Sequence, residues 1–121
     1  MRSLGIAFVV AAAIVSMTTR ADAHAHYRTS VPADNGVADA PHELRIDFTE
    51  GVEPAFSHVT LADAAGHPVP VGPLATAGGD ASELIVPVRG AMRAGRYQVT
   101  WAVTSVDTHR TQGSYSFTVG R

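Results

Sequence analysis

Two short stretches carry the side chains best suited to chemistry. The first is Ala21-Asp22-Ala23-His24-Ala25-His26. Its small-x-small tripeptide Ala21-Asp22-Ala23 has the pattern that signal peptidase cuts, and a cut after Ala23 makes His24 a new N-terminus. An N-terminal histidine offers its α-amine and its ring Nδ1 close together, and both can chelate one metal ion. The second stretch is Asp107-Thr108-His109. In extended backbone, residues i and i+2 point to the same side, so this spacing predicts a carboxylate and an imidazole presented together. Either stretch alone is a common accident, because Asp-x-His is short and chain termini ordinarily fray. Together they supply three nitrogens and one oxygen: the α-amine, a His24 ring nitrogen, a His109 ring nitrogen and an Asp107 oxygen. Cu(II) prefers such a tetragonal N,O set and tops the divalent affinity order. Zn(II) could use the same atoms tetrahedrally. Cu(I) would want cysteine or methionine, and the residues after Ala23 contain only Met92. The amine binds only when deprotonated. Its free pKa is about 7.7–8.0, so metal binding should release protons and weaken in acid.

Around the two stretches the chain reads as an export signal followed by one small domain. Arg2 supplies a positive start, and Leu4 to Val15 is an apolar run suited to a signal and short for a membrane span. Residues 1–23 are therefore expected to be a secretory signal peptide, with Arg20 unusually close to the cut. Residues 24–121 form the expected domain. Of 121 residues, 121 − 23 = 98 remain, enough for one domain. The absence of cysteine excludes a disulfide scaffold, a thiolate metal site and a cysteine nucleophile. Removing Arg2, Arg20 and Asp22 leaves seven arginines against ten acids, 7 − 10 = −3. A mildly acidic domain has no electrostatic footprint for nucleic acid or anionic lipid. With no second apolar run, the mature form is expected to be soluble.

The elements that must position the two stretches are short strands. In His42–Phe48, Leu44, Ile46 and Phe48 share one face, while Arg45 and Asp47 take the other. In Arg96–Thr104, Tyr97, Val99, Trp101 and Val103 share a face. Ser114–Val119 puts Tyr115, Phe117 and Val119 inward. Further strands are expected at Tyr27–Val31, around Val59 and Leu61, at His67–Val71 as an edge, and at Leu84–Val88. Turns fall at Pro32 with Asp34-Asn35-Gly36, at Gly78-Gly79-Asp80 and at Arg93-Ala94-Gly95. Thr104–Gly113 is expected as a loop carrying Asp107 and His109. Leu74–Ala77 is too short for a helix. About seven strands without a helical period indicate an all-β, single-domain antiparallel Greek-key β-sandwich or barrel, immunoglobulin-like or cupredoxin-like. Strand order does not follow from such a pattern.

His24 after the Ala-x-Ala cut, Ser30–Gly36, Ala40-Pro41, Phe48-Thr49-Glu50 and Phe56-Ser57 begin a series of segments that continues with Gly95–Trp101, Ser105–His109 and Gly113–Val119 over essentially the whole mature chain. In these segments the chain resembles the CopC family of periplasmic copper-resistance proteins. The resemblance implies a periplasmic β-sandwich that binds one Cu(II) per chain for copper resistance, homeostasis or delivery. The family's N-terminal histidine falls on His24 and its Asp-x-His pair on Asp107 and His109. A family carboxylate near the copper falls on Glu50, as an axial or outer group. A membrane copper transporter is the implied partner. Some family members bind Cu(I) through a methionine-rich loop. The corresponding stretch here, His58 to Asp80, has no methionine, so a Cu(II)-only protein is expected.

His26 opens a competing mode. A free amine with histidine in the third position can wrap Cu(II) or Ni(II) in a square plane through two deprotonated backbone amides, using His24, Ala25 and His26. The preorganised His24/Asp107/His109 site is expected to win. His42, His58 and His67 read as surface residues, and Trp101 reads as core. Two other function classes fit part of the pattern. One is a small copper-dependent oxidative enzyme with an N-terminal histidine brace, like lytic polysaccharide monooxygenases. Against it stand the short chain, the lack of spare aromatics for a polysaccharide surface, and Asp107 in a position that oxygen would need. The other is a metal-free immunoglobulin-like module. No hydrolase is indicated, because Ser105 lacks the glycines of a nucleophile elbow, and no phosphate-binding glycine loop opens a helix.

Overall fold

The structure is a computed structural model that describes Gly5 and residues 24–120. The expected signal peptide and its cleavage point lie, Gly5 aside, outside the described residues. Nine strands form: β1 (Tyr27–Val31), β2 (Val37–Ala38), β3 (Glu43–Phe48), β4 (His58–Asp63), β5 (Pro68–Val69), β6 (Ala75–Ala77), β7 (Asp80–Pro87), β8 (Gly95–Thr104) and β9 (Arg110–Val119). A 3-10 turn covers Pro54–Phe56. The four-stranded sheet runs β1-β3-β7-β6 and the five-stranded sheet runs β2-β9-β8-β4-β5. All pairings are antiparallel except the short β2–β9 pair.

Alternation makes this a sandwich. Leu44, Ile46 and Phe48 of β3 and Leu84 and Val86 of β7 bury one face of the smaller sheet. Val59 and Leu61 of β4, Tyr97 to Val103 of β8 and Tyr115 to Val119 of β9 bury the facing side of the larger one. The two faces share one core, as packed sheets must when each has one apolar face. Phe48 meets Trp101 edge-on across it, with ring centres 5.1 Å apart. Tyr27 of edge strand β1 packs on Tyr115, centres 5.2 Å apart.

Three expectations change. Two strands had no signal in the sequence: β2, with only two residues, and β6, which takes most of the Leu74–Ala77 stretch. Asp80 begins β7 instead of completing a turn, leaving Gly78-Gly79 as the reversal. The last strand starts at Arg110, four residues before Ser114, because β8 and β9 pair in unbroken register from Gly95↔Val119 to Thr104↔Arg110. The expected ten-residue loop thereby shrinks to the hairpin connection 105–109.

Gly113 is part of that pairing and has a packing reason. It lies opposite Trp101, and a Cβ built there would sit 2.5 Å from Trp101 Cζ2. The indole lies over bare backbone, which only glycine permits.

Candidate metal centre

The β8–β9 connection is a tight turn. Ser105 N donates to His109 O at 2.8 Å and Thr108 N to Ser105 O at 2.9 Å. Thr108 has φ 72°, in the left-handed region that β-branched residues rarely enter. Val106 N donates to Gly51 O at 2.9 Å, and Val52 bridges Ser105, so the segment after β3 braces the turn from one side.

Asp107 and His109 do come together, with Asp107 Oδ2 3.5 Å from His109 Nδ1. Extended backbone is not the cause. The chain folds back at Thr108, and the turn brings the two side chains to one side. Ser105 holds this geometry. It is fully buried, its hydroxyl donates to Asp107 Oδ1, and it accepts His109 N–H at 3.2 Å. The same hydroxyl holds the Asp107 carboxyl below its ordinary pKa, with His109 adding to the effect. Asp107 is therefore anionic at neutral pH and available to a cation. In the sequence, the i, i+2 spacing of Ser105 to Asp107 is the signal for this supporting role.

The His24 segment reaches the turn from the other end of the chain. Ala25 is fully buried in the core, and its carbonyl accepts the Thr111 hydroxyl at 2.5 Å. Thr49, just after β3, grips the segment with three hydrogen bonds. Its N–H donates to His26 O at 2.9 Å, its hydroxyl accepts His26 N–H at 2.9 Å, and that hydroxyl also approaches His24 O at 3.3 Å. Burying Ala25 between two histidines turns both rings outward: His24 is half-buried and His26 exposed. His24 then meets His109 edge-to-face, ring centres 4.4 Å apart at 77°. His26 is further off, 6.4 Å from His24. Nδ1 of His24, the nitrogen a terminal chelate needs, is turned away from solvent.

Glu50 is half-buried directly after Thr49 and directly before Gly51, whose carbonyl braces the turn. Its backbone is thus beside the site. Of the expected ligands, the fold brings His24, Asp107 and His109 together most closely. Thr49 and Thr111 hold the backbone of residues 24–26, and in the sequence only the Phe48-Thr49-Glu50 resemblance points at either. His42, His58 and His67 are exposed as expected, and His67 Nδ1 pairs with Asp63 Oδ2 at 3.2 Å.

A second cluster has no signal in the sequence. Carboxylate oxygens of Asp47, Asp80 and Glu83 lie within 4.8 Å of one another. Arg28 pairs with Asp47 at 3.6 Å and Arg45 with Glu83 at 2.9 Å, while Ser82 bonds Asp80. The two arginines offset two of the three carboxylate charges and a neutral hydroxyl bonds the third, and an all-oxygen set suits hard cations rather than copper.

Among the described residues, no helix is long and apolar enough to cross a membrane. The family model of the CopC domain matches residues 27–120. Protein YobA of Escherichia coli K12 is 38% identical over 98 residues, covering 80% of this chain and 79% of that one. Copper resistance protein C of Xanthomonas campestris pv. juglandis is 33% identical over 123 residues, covering 98% and 96%. Among solved structures, CopC from Methylosinus trichosporium OB3b superposes with a TM-score of 0.73 at 30% identity, covering 80% of this chain and 94% of that one. PcoC, a methionine-rich copper resistance protein from Escherichia coli, gives 0.72 at 30% identity, covering 80% and 99%. Two converging histidines on a two-sheet sandwich, a family match from β1 through β9 and copper-resistance relatives along nearly the whole chain agree: this protein belongs to the CopC family.

Proposed function

We propose that the chain is exported, cut after Ala23, and acts in the periplasm as a non-enzymatic copper-binding protein for copper resistance, homeostasis or delivery. One Cu(II) per mature chain is held by the His24 α-amine and ring Nδ1, a ring nitrogen of His109 and the Asp107 carboxylate, with Glu50 as an axial or outer group. A membrane copper transporter is the partner that would receive or supply the ion.

The observation that carries this reading is the edge-to-face meeting of His24 and His109, with ring centres 4.4 Å apart. They are separated by 85 residues of sequence, and each is anchored independently. The donor set fits the ion chemically: borderline nitrogens and one anionic oxygen, with no soft sulfur. The backbone also disfavours the peptide-wrapping mode through His26. That mode needs the amide nitrogens of Ala25 and His26. The His26 N–H is committed to Thr49, and Ala25 is buried. Wrapping would have to pull Ala25 from the core and break the Thr49 and Thr111 ties.

The test is Cu(II) titration of residues 24–121 followed by EPR. The expected result is one tight equivalent with nitrogen couplings, lost when one glycine precedes His24. His109→Ala should weaken binding by roughly 100-fold or more, beyond the 10- to 100-fold effect of removing an outer-shell partner. His26→Ala should leave affinity nearly unchanged. The reading fails if His26→Ala abolishes binding while His109→Ala leaves it intact.

A further inference from the structure

Against the 105–109 turn, at Thr108, lies an open groove of about 440 Å³, lined by Ala55, Phe56, His58, Thr104, Thr108 and Arg110. Its volume is in the range of small-ligand sites. Its chemistry differs from its surroundings. The turn's neighbours include Glu50, Glu53 and Asp107, yet no acidic side chain lines the groove. Among the described residues Arg28 and Arg45 pair with carboxylates, while Arg89, Arg93, Arg96 and Arg110 make no ion pair and neither does His58; of these four arginines Arg110 is the one that lines the groove. The Thr104 and Thr108 hydroxyl protons are committed to Phe56 O at 3.0 Å and Asp107 O at 2.6 Å. The groove's donors are therefore Arg110 and His58. Beside them stands Phe56, 65% exposed, one of few large apolar side chains left in water.

A planar guanidinium with an imidazole beside an apolar face suits a carboxylate carried on a small carbon skeleton. Arg110 directly follows His109, and Thr108 separates the two proposed ligands of the turn. We propose that this groove binds a small polycarboxylate, and that such a ligand, docked there, exchanges copper with the neighbouring site at the turn. The exchange half of the proposal rests on the copper reading above; the binding half does not. Anchoring one carboxylate on Arg110 raises the effective concentration of the others at the metal. Charge at the rim acts mainly on the rate of encounter.

The test has two arms. In the first, the metal-free chain from His24 onward, which contains all nine strands, is titrated with citrate and followed by amide NMR. Saturable shifts are expected at Phe56, Thr108 and Arg110, absent in Arg110→Gln and reduced in Phe56→Ala, which keeps the charge. In the second, copper is removed from the loaded protein by ethylenediaminetetraacetate or by the polyamine triethylenetetramine. Arg110→Gln should slow the polycarboxylate by about threefold or more, as rim charges do to association, and should not slow the polyamine. Its equilibrium copper affinity should stay that of the parent. No citrate shifts in the first arm would overturn the proposal while leaving the copper site standing. Shifts with an oligoglutamate peptide but not with citrate would overturn it in favour of an acidic protein segment. Equal slowing of both chelators would overturn the exchange half alone. Citrate shifts in a protein that takes up no copper would uphold the groove and refute the copper reading.

Discussion

Thr111→Val removes one hydroxyl at the point where the N-terminal segment is fastened to β9, and it separates fold from site. Thr111 is half-buried, and its hydroxyl donates to the carbonyl of Ala25 at 2.5 Å. Valine is nearly isosteric and at least as good a strand residue. The loss is therefore a hydrogen bond together with a buried carbonyl left without its donor, about 1–2 kcal/mol. The structure sets a ceiling near that figure. If the segment lifts away instead, the side chain exposed is the single methyl of Ala25, worth about 0.8 kcal/mol, and the Thr49 bonds still hold its far end. For a domain of this size, the melting temperature should fall by roughly 5–15 °C. Copper affinity should fall separately. A segment freed in the apo protein must be fixed again on binding, at about 1–2 kcal/mol per residue, or roughly a 5- to 30-fold weaker Kd. Thermal unfolding by circular dichroism gives the first number. Competitive Cu(II) titration against a coloured chelator gives the second. Thr100→Val, on the outer face of the same sheet, serves as control. A variant that loses stability yet binds copper within twofold of the parent would refute the idea that this tie preorganises the site.

Gly113→Ala should destabilise by about 1–3 kcal/mol through overpacking, because its new methyl would meet the rigid, buried indole of Trp101; urea unfolding followed by Trp101 fluorescence measures it. Thr108→Gly should leave stability unchanged or raise it by about 1 kcal/mol, since φ 72° is costly for a β-branched residue and free for glycine; a clear loss of stability would mean that its hydroxyl bond to Asp107 O outweighs the strain. Burial pushes the Tyr115 hydroxyl well above its ordinary pKa. The folded state thus holds that proton more tightly than the unfolded state, and stability is full below about pH 10 and declines as pH rises further. Tyrosinate absorbance should show Tyr115 ionising only as the protein unfolds, and reversible ionisation of all tyrosines before unfolding would contradict this.

Much of the fold is legible in the sequence, for physical reasons visible in particular residues. Leu44, Ile46 and Phe48, or Tyr97 through Val103, alternate because a half-buried strand needs one apolar face, and that period survives in one dimension. The metal-type residues were readable because coordination chemistry restricts them to a few side chains. Strand β6 was not readable. Ala75 and Ala77 have weak strand preference, and the short segment becomes a strand because β7 offers it an edge. The length of the β8–β9 hairpin was hidden for a similar reason, since Arg110 to Gly113 alternate poorly and are recruited by register with β8.

The types of the candidate donors, the mildly acidic cysteine-free composition and the all-β class follow from composition and period alone. What brings His24 to His109 was decided by tertiary structure. Ala25 must find a core to enter, Thr49 and Thr111 must arrive from β3 and β9 to hold the backbone around it, and Ser105 must be buried to aim Asp107. Asp107 and His109 meet not through extended i, i+2 backbone but because Thr108 turns left-handed inside a hairpin closed by its flanking strands. Local sequence sets which groups a chain can offer. Contacts between residues 24–26, 49 and 105–111 set where those groups point, and such contacts exist only once the two sheets have closed on their core.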